Sequence, residues 1–209
     1  MKLKLILKII LICSIVFYFG CTEKKSSVLL PIYGEKKIIA GDTIYHQIAS
    51  FNLTNQIGQV VNQNTTKNKI YIANFFFATC QSICPMMSNQ LQEVQKAFLA
   101  DDSVLILSHS VNPLHDTVAV LSNYADTYGA KTNKWHLLTG NKKQIYDLAK
   151  TSYLVNAFED DGSPEGFLHS ELFLLIDKKA RIRGMYDGTN TAEVKKLIED
   201  VKLLKQETY

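Results

Sequence analysis

Residues 69–85 read KIYIANFFFATCQSICP, and the fold turns on how this stretch is read. Residues 69–77 are rich in β-branched and aromatic side chains and poor in polar ones. A short apolar run of that composition is expected as a strand covered on both faces, the kind found inside a parallel sheet. A loop carrying Cys80 and Cys84 follows, with Pro85 directly after. Proline suits the first position of a helix, where its missing N–H costs nothing, so Cys84 is expected at the helix start. Met87, Leu91, Val94 and Phe98 then recur at spacings of four, three and four, which puts them on one helical face. Strand, cysteine loop and amphipathic helix are thus predicted in direct succession.

The flanking segments extend the same alternation. Residues 38–53 read as a loop followed by a short strand, 55–58 as a turn, and 59–61 as the beginning of a return strand. Residues 104–107 form a second buried strand, and 117–128 a helix through Val118, Leu121, Tyr124 and Ala125 that Gly129 can stop. A short strand at 135–138 and a short helix at 142–149 come next. Residues 171–177 (ELFLLID) are a strand, Lys178-Lys179 a tight turn, and 180–186 its antiparallel partner. Asn190 can cap a last helix, with Glu193 at the capping-box position and Val194, Leu197, Ile198, Val201 and Leu204 as its buried stripe. This order implies an α/β architecture. A central mixed sheet flanked by helices, parallel at first and ending in an antiparallel hairpin and a helix, is the layout of a thioredoxin-like fold.

The chain has 209 residues, 46% of them hydrophobic, which suits one domain behind an N-terminal export segment. Lys2, Lys4 and Lys8 precede an apolar run at 9–19 interrupted only by Ser14. That run has the length of a signal h-region and is too short for a comfortable membrane span. Gly20-Cys21 closes it, which resembles a bacterial lipoprotein cleavage site, although Tyr18 stands where such sites usually carry Leu. The expected division is a lipoprotein signal peptide at 1–20, an acylated Cys21 with a tether over 21–37, and a folded domain at 38–209. An uncleaved signal anchor is the alternative, and both place the domain on the extracytoplasmic side of the cell membrane. Setting Lys2, Lys4 and Lys8 aside from the 23 Lys and Arg leaves as many basic residues as the 20 Asp and Glu. No excess of clustered basic charge remains to mark a nucleic-acid footprint, so no nucleic-acid partner is expected.

Cys13 lies in the apolar run and Cys21 at the cleavage site, so Cys80 and Cys84 are the pair left to the domain. A disulfide across three residues removes little unfolded-state entropy and makes a poor staple. A close thiol pair is better suited to redox or metal chemistry. In a helical turn residues four apart lie about 6 Å from each other along the axis and point the same way. That reach permits either a disulfide or a shared ion. Two thiolates select soft metals, Cu(I) or zinc, and structural zinc wants four ligands. A plain dithiol without metal also fits. Among the histidines, His169 is the best-placed third ligand, because it stands at the mouth of the 171–177 strand, beside the expected cysteine loop. His109 and His115 are weaker candidates, and His46 and His136 have only their residue type to recommend them.

The loop Cys80-x-x-x-Cys84-Pro85 behind Asn74-Phe75-Phe76-Phe77 resembles the Sco/SenC family, thioredoxin-like copper proteins involved in assembling cytochrome c oxidase. The likeness continues through Ser110-Val111-Asn112-Pro113-Leu114-His115-Asp116-Thr117, Trp135-His136-Leu137-Leu138-Thr139-Gly140 and Phe167-Leu168-His169-Ser170, so it covers nearly the whole exported domain. It implies Cys80, Cys84 and His169 as copper ligands. It implies a metallochaperone that delivers copper to, or matures the copper-site subunit of, a respiratory cytochrome c oxidase, and is held to the membrane by its N-terminal lipid. A periplasmic thiol-disulfide reductase acting on the oxidase cysteines is the alternative, in which Cys80 and Cys84 are a redox-active pair. A redox or copper sensor is a third class. A peroxiredoxin would have Thr three residues before its reactive cysteine, where Phe77 and Gln81 stand, and a thioredoxin would have C-x-x-C. Asn112 departs from the family's usual Asp, and His115 from its frequent Arg.

Overall fold

The first buried strand sets the frame. The computed structural model describes residues 29–155 and 170–207, and in it all seven residues of Ile70–Phe76 are buried. In chain order the elements are β1 (Lys36–Ile39), β2 (Asp42–Tyr45), β3 (Asn52–Asn55), β4 (Val60–Asn62), α1 (Gln63–Thr66), β5 (Ile70–Phe76), α2 (Ile83–Ala97), β6 (Val104–Ser110), α3 (Val118–Tyr128), β7 (Trp135–Thr139), α4 (Lys142–Asp147) with a π turn at Leu148–Ser152, β8 (Leu172–Ile176), β9 (Ile182–Asp187) and α5 (Thr191–Gln206). Seven strands form one mixed sheet in the order β4-β3-β7-β6-β5-β8-β9. β5, β6 and β7 run parallel at its centre, and antiparallel pairs close both sides. This is the α/β thioredoxin-like layout that the sequence predicts.

Side chains alternate across a strand. Phe76 packs on Tyr124 of α3, while its neighbour Phe75 packs on Tyr153 beyond the π turn. Helices α2, α3 and α5 therefore share one face of the sheet, and α4 with its π turn covers the other. Gln92 and Gln95 of α2 donate to the carbonyls of Tyr128 and Gly129, and Gln90 to Thr191 Oγ1, which ties the three helices together. Asn74, polar within a buried strand, is satisfied by a relay: Trp135 Nε1 donates to Ser108 Oγ (2.8 Å), which donates to Asn74 Oδ1 (2.6 Å).

Local signals explain most boundaries. Gly129 ends α3 in the left-handed region at φ 62°, and Thr117 caps its start. Asn190 caps α5 by accepting from Ala192 and Glu193, but the Asn190 N–H goes to the Asp187 carbonyl, so Glu193 completes no capping box there. Helix α2 begins at Ile83, two residues before Pro85, which sits in the first turn where no backbone donor is lost. Residues 38–53, expected as loop then strand, hold the rest of the β1–β2 hairpin and then β3. That hairpin is a separate two-stranded sheet with every residue exposed, so it carries none of the one-sided burial that marks a strand in sequence.

Within the stretch 21–37 read as tether, residues 30–33 lie docked on the domain. Tyr33 N–H donates to the Ile182 carbonyl, and Arg183 donates to the carbonyls of Leu30 and Pro31. The signal segment and Cys21 fall outside the described residues. No helix among the described residues is long and apolar enough to cross a membrane.

Candidate metal centre

Parallel strands deliver the next loop at their C-terminal ends. The chain leaves β5 at Phe76, and Cys80 and Cys84 follow within one turn of each other, both buried (6% and 1% exposed) and neither in a disulfide. Cys80 N–H donates to the Phe77 carbonyl at 3.2 Å, which tightens the loop before the helix.

The start of α2 explains the electrostatics. Ser82 is its N-cap residue but makes no side-chain cap. One orphan first-turn donor, the Cys84 N–H, instead points at Cys80 Sγ at 3.4 Å. Ser82 Oγ lies 3.6 Å from the same sulfur. The Cys84 thiol donates to it as well, and this is the largest of the effects that lower the Cys80 thiol to about 5, against the upward push of burial. The sequence puts Cys84 at the helix start, on the strength of Pro85. The structure gathers the donors around Cys80, because the helix begins two residues earlier and Cys84 supplies a donor from inside its first turn.

A buried carboxylate fixes this loop to the next one. Asp116 Oδ2 accepts from Ala78 N–H at 3.0 Å and from Ser110 Oγ at 2.5 Å, while Asp116 Oδ1 lies 2.9 Å from His115 Nδ1. Ser110 Oγ in turn accepts from Asn112 N–H at 3.1 Å. Asp116 is fully buried and joins the loops after β5 and β6. In the sequence it is one residue of the segment Ser110–Thr117, with no role of its own. The available signal was an acidic residue directly before a helix cap, Thr117. Beneath the cysteines lie Tyr124 and Tyr128, with the Tyr124 hydroxyl 2.7 Å from Ser88 Oγ. Burial first, and then the charge of the nearby cysteines, push both phenols up and keep them protonated.

The sequence profile described as SCO1/SenC matches residues 42–206. The chain belongs to the SCO1/SenC family. Among solved structures it is similar to a SCO1/SenC family lipoprotein from Bacillus anthracis (27% identity, TM-score 0.70, covering 77% of this chain and 96% of that one). It is similar to BsSco, described as a member of the Sco family of cytochrome c oxidase assembly proteins and as having a disulfide switch (27%, TM-score 0.69, covering 78% and 95%). It also resembles ScoI of Bradyrhizobium japonicum, solved with copper bound (26%, TM-score 0.63, covering 75% and 98%).

In this SCO1/SenC chain the described residues bring two of the expected ligands together and leave the third open. No group of three or more His, Cys, Asp or Glu suited to a metal ion occurs among them. His169 lies outside the described residues, as does Cys21. The strand after His169 is described: β8 pairs antiparallel with β5, Ala73 opposite Leu174, so β8 begins at the cysteine end of the sheet. The remaining histidines have other partners. His46 Nε2 lies 2.7 Å from the Ser152 carbonyl. His136 Nδ1 lies 3.3 Å from Asn55 Nδ2, and burial lowers its imidazole to about 4. His109 is stacked on Phe75, its Nδ1 3.4 Å from the Asn74 carbonyl, and burial likewise lowers it to about 4. His115, at the position of the family's Arg, borders Asp116.

Proposed function

We propose that this chain is a copper-binding Sco-type protein of cytochrome c oxidase assembly, with Cys80, Cys84 and His169 as ligands of a copper ion that is its cargo. The observation that carries the reading is the reduced thiol pair, with one sulfur already held towards its thiolate form by its neighbours. Thiolates are soft donors and select Cu(I), and an imidazole added to them suits Cu(II). Support for His169 comes from the start of the β8 strand at the cysteine end of the sheet and from the resemblance to the family. Copper in a similar structure and the oxidase-assembly role of another support the metal and the pathway. The chain is a lipoprotein acylated at Cys21, with its domain on the extracytoplasmic side and the copper-site subunit of the oxidase as its recipient. The lipoprotein neighbour supports that placement.

A second reading keeps the same sulfurs. A thiolate at Cys80 beside the Cys84 thiol is the arrangement of a reductase. The Cys80 thiolate attacks a target disulfide and releases one target thiolate. Cys84, losing its proton, then displaces the second target sulfur and forms the Cys80–Cys84 disulfide, so two electrons pass to the target. The two readings part at His169. In His169→Ala the delivery reading expects Cu(II) affinity to fall and its visible spectrum to change, while disulfide exchange persists. Unchanged Cu(II) affinity and spectrum in a folded variant would remove His169 from the ligand set.

A further inference from the structure

The β1–β2 hairpin stands apart from the domain. It pairs with no strand of the main sheet, and every residue of its two strands is exposed. Yet it carries Ile38, Ile39 and Ile44, which are 76%, 55% and 50% exposed. Register puts Ile39 and Ile44 on one face and Ile38 and Tyr45 on the other. A two-stranded hairpin alone in water is marginal, and solvated isoleucines on both its faces add nothing to it. The tip turns through Ala40 and Gly41, both at positive φ, which brings the apolar residues to the end of the projection.

The base of the hairpin is fixed where the tip is not. Gly34 takes φ 94°, and a Cβ there would meet His46 Cβ at 2.6 Å. Gln47 Nε2 donates to the Lys179 carbonyl and Ile48 N–H to the Ala180 carbonyl, so the hairpin springs from the β8–β9 turn. Arg181 lies over the Tyr45 ring at 5.7 Å. Lys36, Lys37, Lys178 and Lys179 give this pole a cationic surface, against Glu35 and Asp42 as its exposed acids, while Arg181 is neutralised by the buried Asp177. The local excess is notable in a chain whose basic and acidic residues otherwise balance. Because Ile176 pairs with Tyr71 at the start of β5, this pole is the far end of the sheet from the cysteines. A strand of seven residues sets the two ends about 20 Å apart.

We propose that the β1–β2 hairpin and the β8–β9 turn dock on an anionic lipid bilayer, with the apolar tip in the headgroup region and the cations among the phosphates. Isoleucines ringed by Lys form the pattern of an interfacial anchor. The length of chain ahead of the structure argues for a bilayer over a soluble partner. Leu29 is separated from Cys21 by a segment that spans at most about 28 Å when fully extended. The hairpin therefore stays within reach of the membrane at high effective concentration. Docked this way, the domain turns Cys80 and Cys84 to the aqueous side. The inference rests on residues 1–28 holding the chain at a membrane, by a lipid on Cys21 or by an uncleaved anchor.

The test uses the full chain in vesicles of phosphatidylcholine alone, in vesicles with added phosphatidylglycerol, and in uncharged detergent. Sedimentation with vesicles reads the anchor, and amide hydrogen exchange over residues 36–45 reads the docking. Docking predicts exchange about tenfold slower in the anionic vesicles than in detergent, with the slowing lost at high salt. The pair Lys36→Glu and Lys37→Glu should abolish it, as should Ile38→Asp with Ile39→Asp. All four sites are exposed, so Trp135 fluorescence and copper binding should stay as in the parent. Co-sedimentation with unprotected hairpin amides overturns docking and leaves the anchor standing. A chain that fails to sediment overturns both. Protection that appears in detergent and grows with protein concentration assigns the hairpin to a second copy and overturns the proposal.

Discussion

The two ends of the central sheet both bury a carboxylate, and they use it in opposite ways. At the far end Asp177 and Glu207 enclose Arg183, whose Nε and both Nη atoms donate to Asp177, Glu207 and the carbonyls of Leu30 and Pro31. Arg181 also pairs with Asp177, so two cations meet two carboxylates, and every guanidinium donor of Arg183 is engaged. The clamp holds the N-terminal strap and the end of α5 in one arrangement. At the cysteine end Asp116 is just as buried, but it holds only the frame. The Cys80 sulfur inside that frame receives soft contacts at 3.4 Å and 3.6 Å. Such contacts can be exchanged for a metal ion or a second sulfur at small cost. The molecule is saturated where the tether joins it and exchangeable where its chemistry lies.

The largest expected effect is at the clamp. Arg183→Met should cost about 3–5 kcal/mol in denaturant unfolding. It takes from Glu207 the only cation paired with it among the described residues and from Asp177 one of two, and it frees the carbonyls of Leu30 and Pro31. Copper stoichiometry of the folded fraction should be unchanged. Loss of copper binding there would break the division between the ends. Next comes Asp116→Ala, which leaves Ala78 N–H and the Ser110 hydroxyl without their acceptor and should cost about 1–3 kcal/mol. Here copper affinity should fall together with stability, and a variant that binds copper as tightly as the parent would deny Asp116 its positioning role. The smallest effect is expected from Ser82→Ala, with stability nearly unchanged. In the parent, alkylation of Cys80 should slow as pH falls through about 5, since the reactive thiolate is lost there. Removing the Ser82 donors' side-chain share should move that midpoint upward by less than about one unit. A downward move would mean that the hydroxyl does not support the thiolate.

The centre of the fold was legible because burial on both faces leaves a plain record in composition. KIYIANFFF announced β5, and the Met87, Leu91, Val94 stripe announced α2. Single-residue signals also held, Gly129 and Asn190 among them. Features made by long-range polar contacts left no such record. The docking of residues 30–33 depends on Arg183, distant in sequence. The thiolate at Cys80 depends on where α2 begins, and a proline in the first turn does not fix that position to the residue. The β1–β2 hairpin is exposed on both sides and so lacks the alternation by which strands are read. The thiol pair itself was legible from spacing alone, whereas Asp116, which positions it, reads in sequence as one more acid before a helix.

The central claim is that Cys80 and Cys84 together hold the copper. It is tested most directly by an equilibrium copper titration of the full chain, fully reduced and then with the Cys80–Cys84 disulfide formed. The account predicts about one copper per reduced chain, as one two-thiolate site implies, and none in the oxidised chain, because the disulfide has no thiolates to donate. Equal copper binding by the oxidised protein would contradict it and place the metal on other residues.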